Sequence, residues 1–108
     1  MRLLIALLLA PAGVFAQGTT SRVLGVVQDP TGAAVPGATV QLRNEATGAV
    51  FTTRTSETGA YVFEAVQSGT YTITVEAPGF KRFVSRGNEV TIGQPTTVNV
   101  GWRWARWP

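Results

Sequence analysis

Thr70-Tyr71-Thr72-Ile73-Thr74-Val75-Glu76-Ala77 decides the fold of this chain. Tyr71, Ile73 and Val75 alternate strictly with Thr70, Thr72, Thr74 and Glu76. In an extended strand, successive side chains point to opposite faces, so the first set shares one face and the second set the other. β-branched and aromatic residues also suit a pleated, half-buried surface. The stretch reads as a strand with one side in a core. Ala38, Val40 and Leu42 repeat the pattern against Thr39, Gln41 and Arg43.

Outward from these two runs, further strands are expected at Arg22–Gln28, Val50–Thr55, Tyr61–Ala65, Glu89–Ile92 and Thr96–Trp102. Turn chemistry separates them: Asp29-Pro30-Thr31-Gly32, Pro36-Gly37, Thr47-Gly48, Thr58-Gly59, Ser68-Gly69, Pro78-Gly79 and Gly93-Gln94-Pro95. Proline presets φ at such corners and glycine supplies positive φ. No segment sustains a helical period. Short strands at this turn spacing predict an all-β fold. The expected form is a single seven-stranded antiparallel Greek-key β-sandwich, prealbumin-like or immunoglobulin-like. Its inward set is Val23, Val27, Val40, Leu42, Tyr61, Phe63, Tyr71, Ile73, Val75, Val98 and Val100.

Composition narrows the chemistry. The 108 residues contain no cysteine and no histidine. Disulfide staples, zinc–thiolate sites, thiol nucleophiles and Ser-His-Asp triads are therefore excluded. The net charge is +3, one less once Arg2 is removed with the leader described next. Arg22, Arg43, Arg54, Lys81, Arg82 and Arg86 are dispersed along the chain, and no nucleic-acid partner is expected from that spread.

Residues 1–16, MRLLIALLLAPAGVFA, have the order of a secretory signal peptide. Arg2 is the positive start, Leu3 to Ala10 the apolar run, and Pro11 with Gly13 the break. Val14 and Ala16 supply small residues before a cleavage site at Gln17. A membrane helix would need about 20 apolar residues, well beyond this run. The expected organisation is a signal peptide at 1–16, a short leader at 17–20, the sandwich at 21–100 and a tail at 101–108. The expected location is the periplasm, the outer membrane or the cell exterior.

A series of short motifs carries a family resemblance. Val23-Leu24-Gly25-Val26-Val27-Gln28-Asp29 is followed by Thr31-Gly32-Ala33-Ala34-Val35-Pro36-Gly37-Ala38-Thr39-Val40. Then come Gly59-Ala60-Tyr61-Val62-Phe63, Ser68-Gly69-Thr70-Tyr71 and Ala77-Pro78-Gly79-Phe80. In this order the series resembles the carboxypeptidase regulatory-like domains, a branch of the transthyretin-like sandwiches, with CNA-B-like relatives. Ser56 stands where that family often carries Asp or Asn. The VQDPTGAAVPGATV stretch resembles the extensions that precede TonB-dependent outer-membrane receptors. The resemblance implies a structural or interaction module, with no cofactor. A plug and barrel do not fit in this length, so a stand-alone module or the front piece of a larger protein is expected.

Candidate sites follow from residue type. Asp29, Glu45, Glu57, Glu64, Glu76 and Glu89 fall in turns or at outward strand positions. They form no acid–base constellation, so no catalytic residues are expected. Asp29 and Glu57 lack the dense oxygen ligands of a calcium site. A glycan partner would need exposed aromatics, and Phe51, Phe80 and Phe83 are the candidates. The competing reading packs them under the Pro78–Gly79 turn and at a sheet edge. Lys81, Arg82 and Arg86 form a basic cluster, either a solvated edge or a contact for anionic lipid or polysaccharide. The tail, GWRWARWP, holds all three tryptophans. Trp102 continues the inward parity of Val100. Trp104 and Trp107 with Arg103 and Arg106 suit a membrane interface or a protein partner, or the tail is coding past a shifted frame.

Overall fold

The computed structural model describes residues 20–101. The expected signal peptide, most of the expected leader and Trp102, Trp104 and Trp107 lie outside the described residues. Eight strands form two sheets, and the described residues contain no helix. The strands are β1 (Thr20–Gln28), β2 (Thr39–Asn44), β3 (Val50–Arg54), β4 (Ala60–Gln67), β5 (Gly69–Glu76), β6 (Phe83–Val90), β7 (Thr96–Thr97) and β8 (Val100–Gly101). Sheet 1 runs β4-β1-β7, with β8 also on β1, and sheet 2 runs β3-β2-β5-β6.

Alternation sets the core as expected. Val23, Val27, Tyr61, Phe63, Val66 and Val100 meet Val40, Leu42, Tyr71, Ile73, Val75 and Val90 from the facing sheet, with all of them buried. Val35 and Ala38 close one end from the β1–β2 connection. The Tyr61 and Phe63 rings sit edge to face, 6.1 Å apart between centroids. Val98, expected fully inward, is only partly buried and packs against the core margin.

Three features depart from the alternation. In β4, Ser21 pairs with Val66 and Val23 with Phe63, so Glu64 and Ala65 face Arg22 alone. This bulge places Ala65 at φ 56. The extra residue re-aims the strand, and Val66 joins the core although parity from Phe63 assigns it to solvent. The sixth strand is Phe83–Val90 rather than Glu89–Ile92. It is an edge strand, mostly polar, with its own bulge: Arg86 and Gly87 face Thr72, and Gly87 takes φ 73. A polar edge with a bulge carries no clean period, which hid it. Ile92 is 49% exposed in the turn that follows.

The last departure corrects the all-antiparallel expectation. β7 and β8 pair with β1 in parallel, Val23 with Thr96 and Val27 with Val100. The expected single strand from Thr96 is interrupted at Asn99. There the Asn99 side-chain Oδ1, in place of a backbone carbonyl, accepts from Val26 N at 3.0 Å. Val98 N donates to Leu24 O at 2.8 Å. The segment is also held by Ser21 Oγ donating to Gln94 O at 2.6 Å and Tyr61 Oη donating to Val98 O at 2.6 Å.

Gly25 makes this closure sterically feasible. A Cβ there would fall inside the shell of the Val98 carbonyl oxygen, and 2.9 Å from the Tyr61 hydroxyl. At the other end, Thr55 replaces a missing ladder bond. Its buried hydroxyl donates to Val35 O at 2.6 Å and accepts from Ala38 N at 2.8 Å. Strand β3 is thereby tied to the β1–β2 connection.

Candidate functional site

The outer face of sheet 1 is apolar. Leu24 on β1 lies opposite Val62 on β4, and Val26 lies opposite Ala60. Their neighbours Val23, Val27, Tyr61 and Phe63 already fill the core, so these four face outward by parity. Val62 is 42% exposed. Together they floor an open groove of about 540 Å³, with Arg22, Glu64, Arg54, Thr97 and Asn99 on its rim. Strand β1 is thus apolar on both faces, an unbroken run from Val23 to Val27. That continuity distinguishes it from the alternating β5 and is the signal in the sequence that could have located the groove.

The outer face of sheet 2 is polar. A smaller depression of about 190 Å³ is lined by Gln41, Arg43, Thr72, Thr74, Arg82, Val84 and Arg86. Glu45 sits at one end. Its Oε2 accepts from Gly87 N at 2.9 Å and from Thr72 Oγ1 at 2.8 Å, which pins the β6 bulge to the β2–β3 hairpin. The Gly87 amide, then the Thr72 hydroxyl, then the positive charges of Arg86 and Arg43 hold its carboxyl below the usual value. At the other end Arg82 Nε lies 3.1 Å from Glu76 Oε2. Asn88 fills the bulge from β6, its Nδ2 donating to Tyr71 O at 3.1 Å and Ser85 O at 2.9 Å.

The expected site residues are only partly brought together. Phe51, on the edge strand β3, is 50% exposed. Phe80 and Phe83 are half-buried against the core. In the order β3-β2-β5-β6, Phe51 and Phe83 stand at opposite edges of sheet 2. The three phenylalanines do not form one aromatic platform. Lys81 and Arg82 are exposed beside the start of β6. Arg82 and Arg86 share their depression with Arg43, a residue distant in sequence.

The carboxylates are dispersed, and among the described residues no three acids, cysteines or histidines gather as a metal site. Asp29 serves the β1–β2 turn. Its Oδ1 accepts from Thr31 Oγ1 at 2.7 Å, Thr31 N at 2.8 Å and Ala33 N at 3.0 Å. The Thr31 hydroxyl first, opposed by desolvation and aided by the Ala33, Thr31 and Gly32 amides, holds its carboxyl below the ordinary value. Ser56 makes the weaker local bonds expected of serine, accepting from Thr58 N and Ala60 N at 3.3 Å.

Two facing sheets, a core drawn from both and a Gly25-dependent closure define a transthyretin-like β-sandwich. The carboxypeptidase regulatory-like domain matches residues 22–103, and the chain belongs to that family. The comparison with curated proteins gives no match. Similar solved structures include the Bacillus anthracis TIE protein, at TM-score 0.68 and 19% identity, covering 80% of this chain and 17% of that one. A "putative carbohydrate binding protein" from Bacteroides uniformis gives TM-score 0.64 and 23% identity, covering 79% of this chain and 42% of that one. Fervidolysin from Fervidobacterium pennivorans, a keratinolytic enzyme related to subtilisin, gives 0.65 and 22%, covering 83% and 17%. The chain thus spans less than half the length of each of these proteins, and the likeness is one of fold.

Proposed function

We infer that this chain is an exported, non-catalytic interaction module of the cell envelope, of the kind that precedes TonB-dependent receptors. The observation that carries the reading is the apolar groove on sheet 1. A sandwich needs only its inner faces for a core, and an antiparallel sheet commonly leaves its other face polar. Here Leu24, Val26, Ala60 and Val62 form an aliphatic floor instead. An exposed apolar patch with a polar rim marks an interaction surface. Two rim residues are arginines, Arg22 and Arg54, and one is Glu64. The complementary partner is a polypeptide surface with an aliphatic centre and a mainly acidic border. Similar sandwiches occupying 17% of much longer chains support an attached or docking role. The signal-peptide pattern of residues 1–16 supports export.

The test is in-cell photo-crosslinking on the full chain in a bacterium with an outer membrane. A benzophenone amino acid at Glu64, on the groove rim, is expected to give one adduct of defined mass. Val62→Asp should abolish that adduct, and a probe at Thr31, in the distant β1–β2 turn, should not form it. The processed chain should begin at Gln17 by mass spectrometry. No adduct, or the same adducts from both positions, would remove the groove as a docking surface. An unprocessed chain would remove export.

A further inference from the structure

The second face of the sandwich carries a different chemistry. Strand β5 lies between β2 and β6. Thr72 pairs with Arg43 on one side and sits against the Arg86–Gly87 bulge on the other. One step along, Thr74 pairs with Gln41 and with Val84. A further step brings Glu76, with Arg82 beside it at 3.1 Å. The central threonines are low and the flanking side chains are long. Thr74, although on the outer face, is only 8% exposed. The stems of its neighbours therefore stand as walls, and the face is a trough running along β5.

The charges have a defined layout. Arg43 and Arg86 face each other across β5, about 10 Å apart at two inter-strand spacings. Arg82 lies further along β6 by roughly four residues, or about 13 Å. Glu76 pairs with Arg82, but Arg43 and Arg86 have no carboxylate at ion-pair distance among the described residues. Between the cations lie the Gln41 amide and the Thr74 hydroxyl, while the Thr72 hydroxyl donates to the Glu45 carboxylate, which closes one end of the trough within the field of Arg43 and Arg86.

We propose that this trough binds a linear carboxylated polysaccharide, its chain laid along β5 with uronate carboxylates on Arg43 and Arg86. Guanidinium forks match carboxylates bidentately. Threonine and glutamine supply exchangeable partners for sugar hydroxyls between them. Cations about 10 Å apart on opposite walls suit carboxylates that project from the two edges of a polymer lying between them, whereas a single phosphate needs donors converging on one point. Val84 is the sole large apolar side chain in this lining, which gives an acyl chain little to bury against. The inference concerns the face opposite the sheet 1 groove and stands without that reading.

The experiment is titration of the full chain with galacturonic acid oligomers, followed by amide NMR and calorimetry. Binding should strengthen from dimer to hexamer, shift the amides of Thr72, Thr74 and Arg43, and weaken with salt. Arg43→Gln with Arg86→Gln should lower affinity tenfold or more while circular dichroism stays unchanged. Arg22→Gln with Arg54→Gln, on the other face, should leave affinity unchanged. Methyl-esterified oligomers should not bind. No binding, equal binding of the ester, or equal loss from both double variants overturns the proposal. So does tighter binding to phosphatidylglycerol vesicles, which would assign the face to lipid. The Glu64 crosslink reads the other face, so either result can fail without the other.

Discussion

Replacing Gly25 with alanine tests the closure of the sandwich with a single methyl. The added Cβ lies 2.7 Å from the Val98 carbonyl carbon, and the carbonyl oxygen is closer still. That neighbour is backbone, so no rotamer change relieves the contact. The β7–β8 segment must move away from β1. Movement leaves the Tyr61 hydroxyl without its 2.6 Å acceptor. An unsatisfied buried donor costs about 1–3 kcal/mol. The Val98 N–Leu24 O and Val26 N–Asn99 Oδ1 bonds go with it, at about 0.5–1.5 kcal/mol each. The expected loss is about 2–6 kcal/mol. A domain of this size holds stability on the order of 0.05–0.15 kcal/mol per residue, so the variant should be marginal or unfolded. Urea unfolding by circular dichroism gives the magnitude. Tyrosine absorbance against pH gives the mechanism. Burial pushes the Tyr61 phenol up to about 12, and a folded variant with a displaced β7–β8 should ionise it nearer the ordinary value of about 10. Adding Tyr61→Phe should not rescue stability, because the Val98 carbonyl remains in the way. A wild-type urea midpoint together with an unchanged Tyr61 titration would refute the reasoning.

Thr55→Val should destabilise by about 2–5 kcal/mol in urea, since it strands the buried Val35 carbonyl and Ala38 amide. Thr55→Ser keeps the hydroxyl and should cost less; a serine variant weaker than the valine one contradicts this. Ile73 is fully buried between the sheets, and Ile73→Ala should cost about 2–5 kcal/mol and leave little folded protein. Wild-type-like unfolding of that variant would place Ile73 outside the core. Asp29→Ala should lower the melting temperature at neutral pH. Because the folded Asp29 carboxyl is held below its usual value, its contribution is present above the unfolded value of about 3.9 and fades as pH falls toward the folded one. The wild-type and variant melting temperatures should therefore converge in acid, and a constant difference down to low pH would speak against the turn. For Tyr61 the sign reverses: its raised value adds stability that is complete below about 10 and lost as pH rises toward about 12.

The alternation of Thr70–Ala77 and Ala38–Arg43 was enough to place Tyr71, Ile73, Val75, Val40 and Leu42 in a core. The turn residues were enough to separate the strands. A period of two depends only on the local pleat, so one strand's sequence determines which of its faces is buried. It does not determine the neighbour. Parallel pairing of β7 and β8 with β1 joins residues more than seventy positions apart, and no local pattern encodes direction. Bulges escaped for the same reason: Val66 turns inward because Ala65 adopts φ 56 against Arg22, a property of the pair of strands. The surfaces were the least legible. Lys81, Arg82 and Arg86 were visible as a cluster, but Arg43 joins two of them only because β2 and β6 flank β5. The phenylalanines were separated by that same strand order. The sequence by itself determined an all-β sandwich, the set of residues available to its core and the motifs of its family. The tertiary structure alone decided that the outer side of the β1 run meets Val62 and Ala60, and that Arg43 joins Arg82 and Arg86 in a charged trough, because those properties belong to strands made neighbours by non-local pairing.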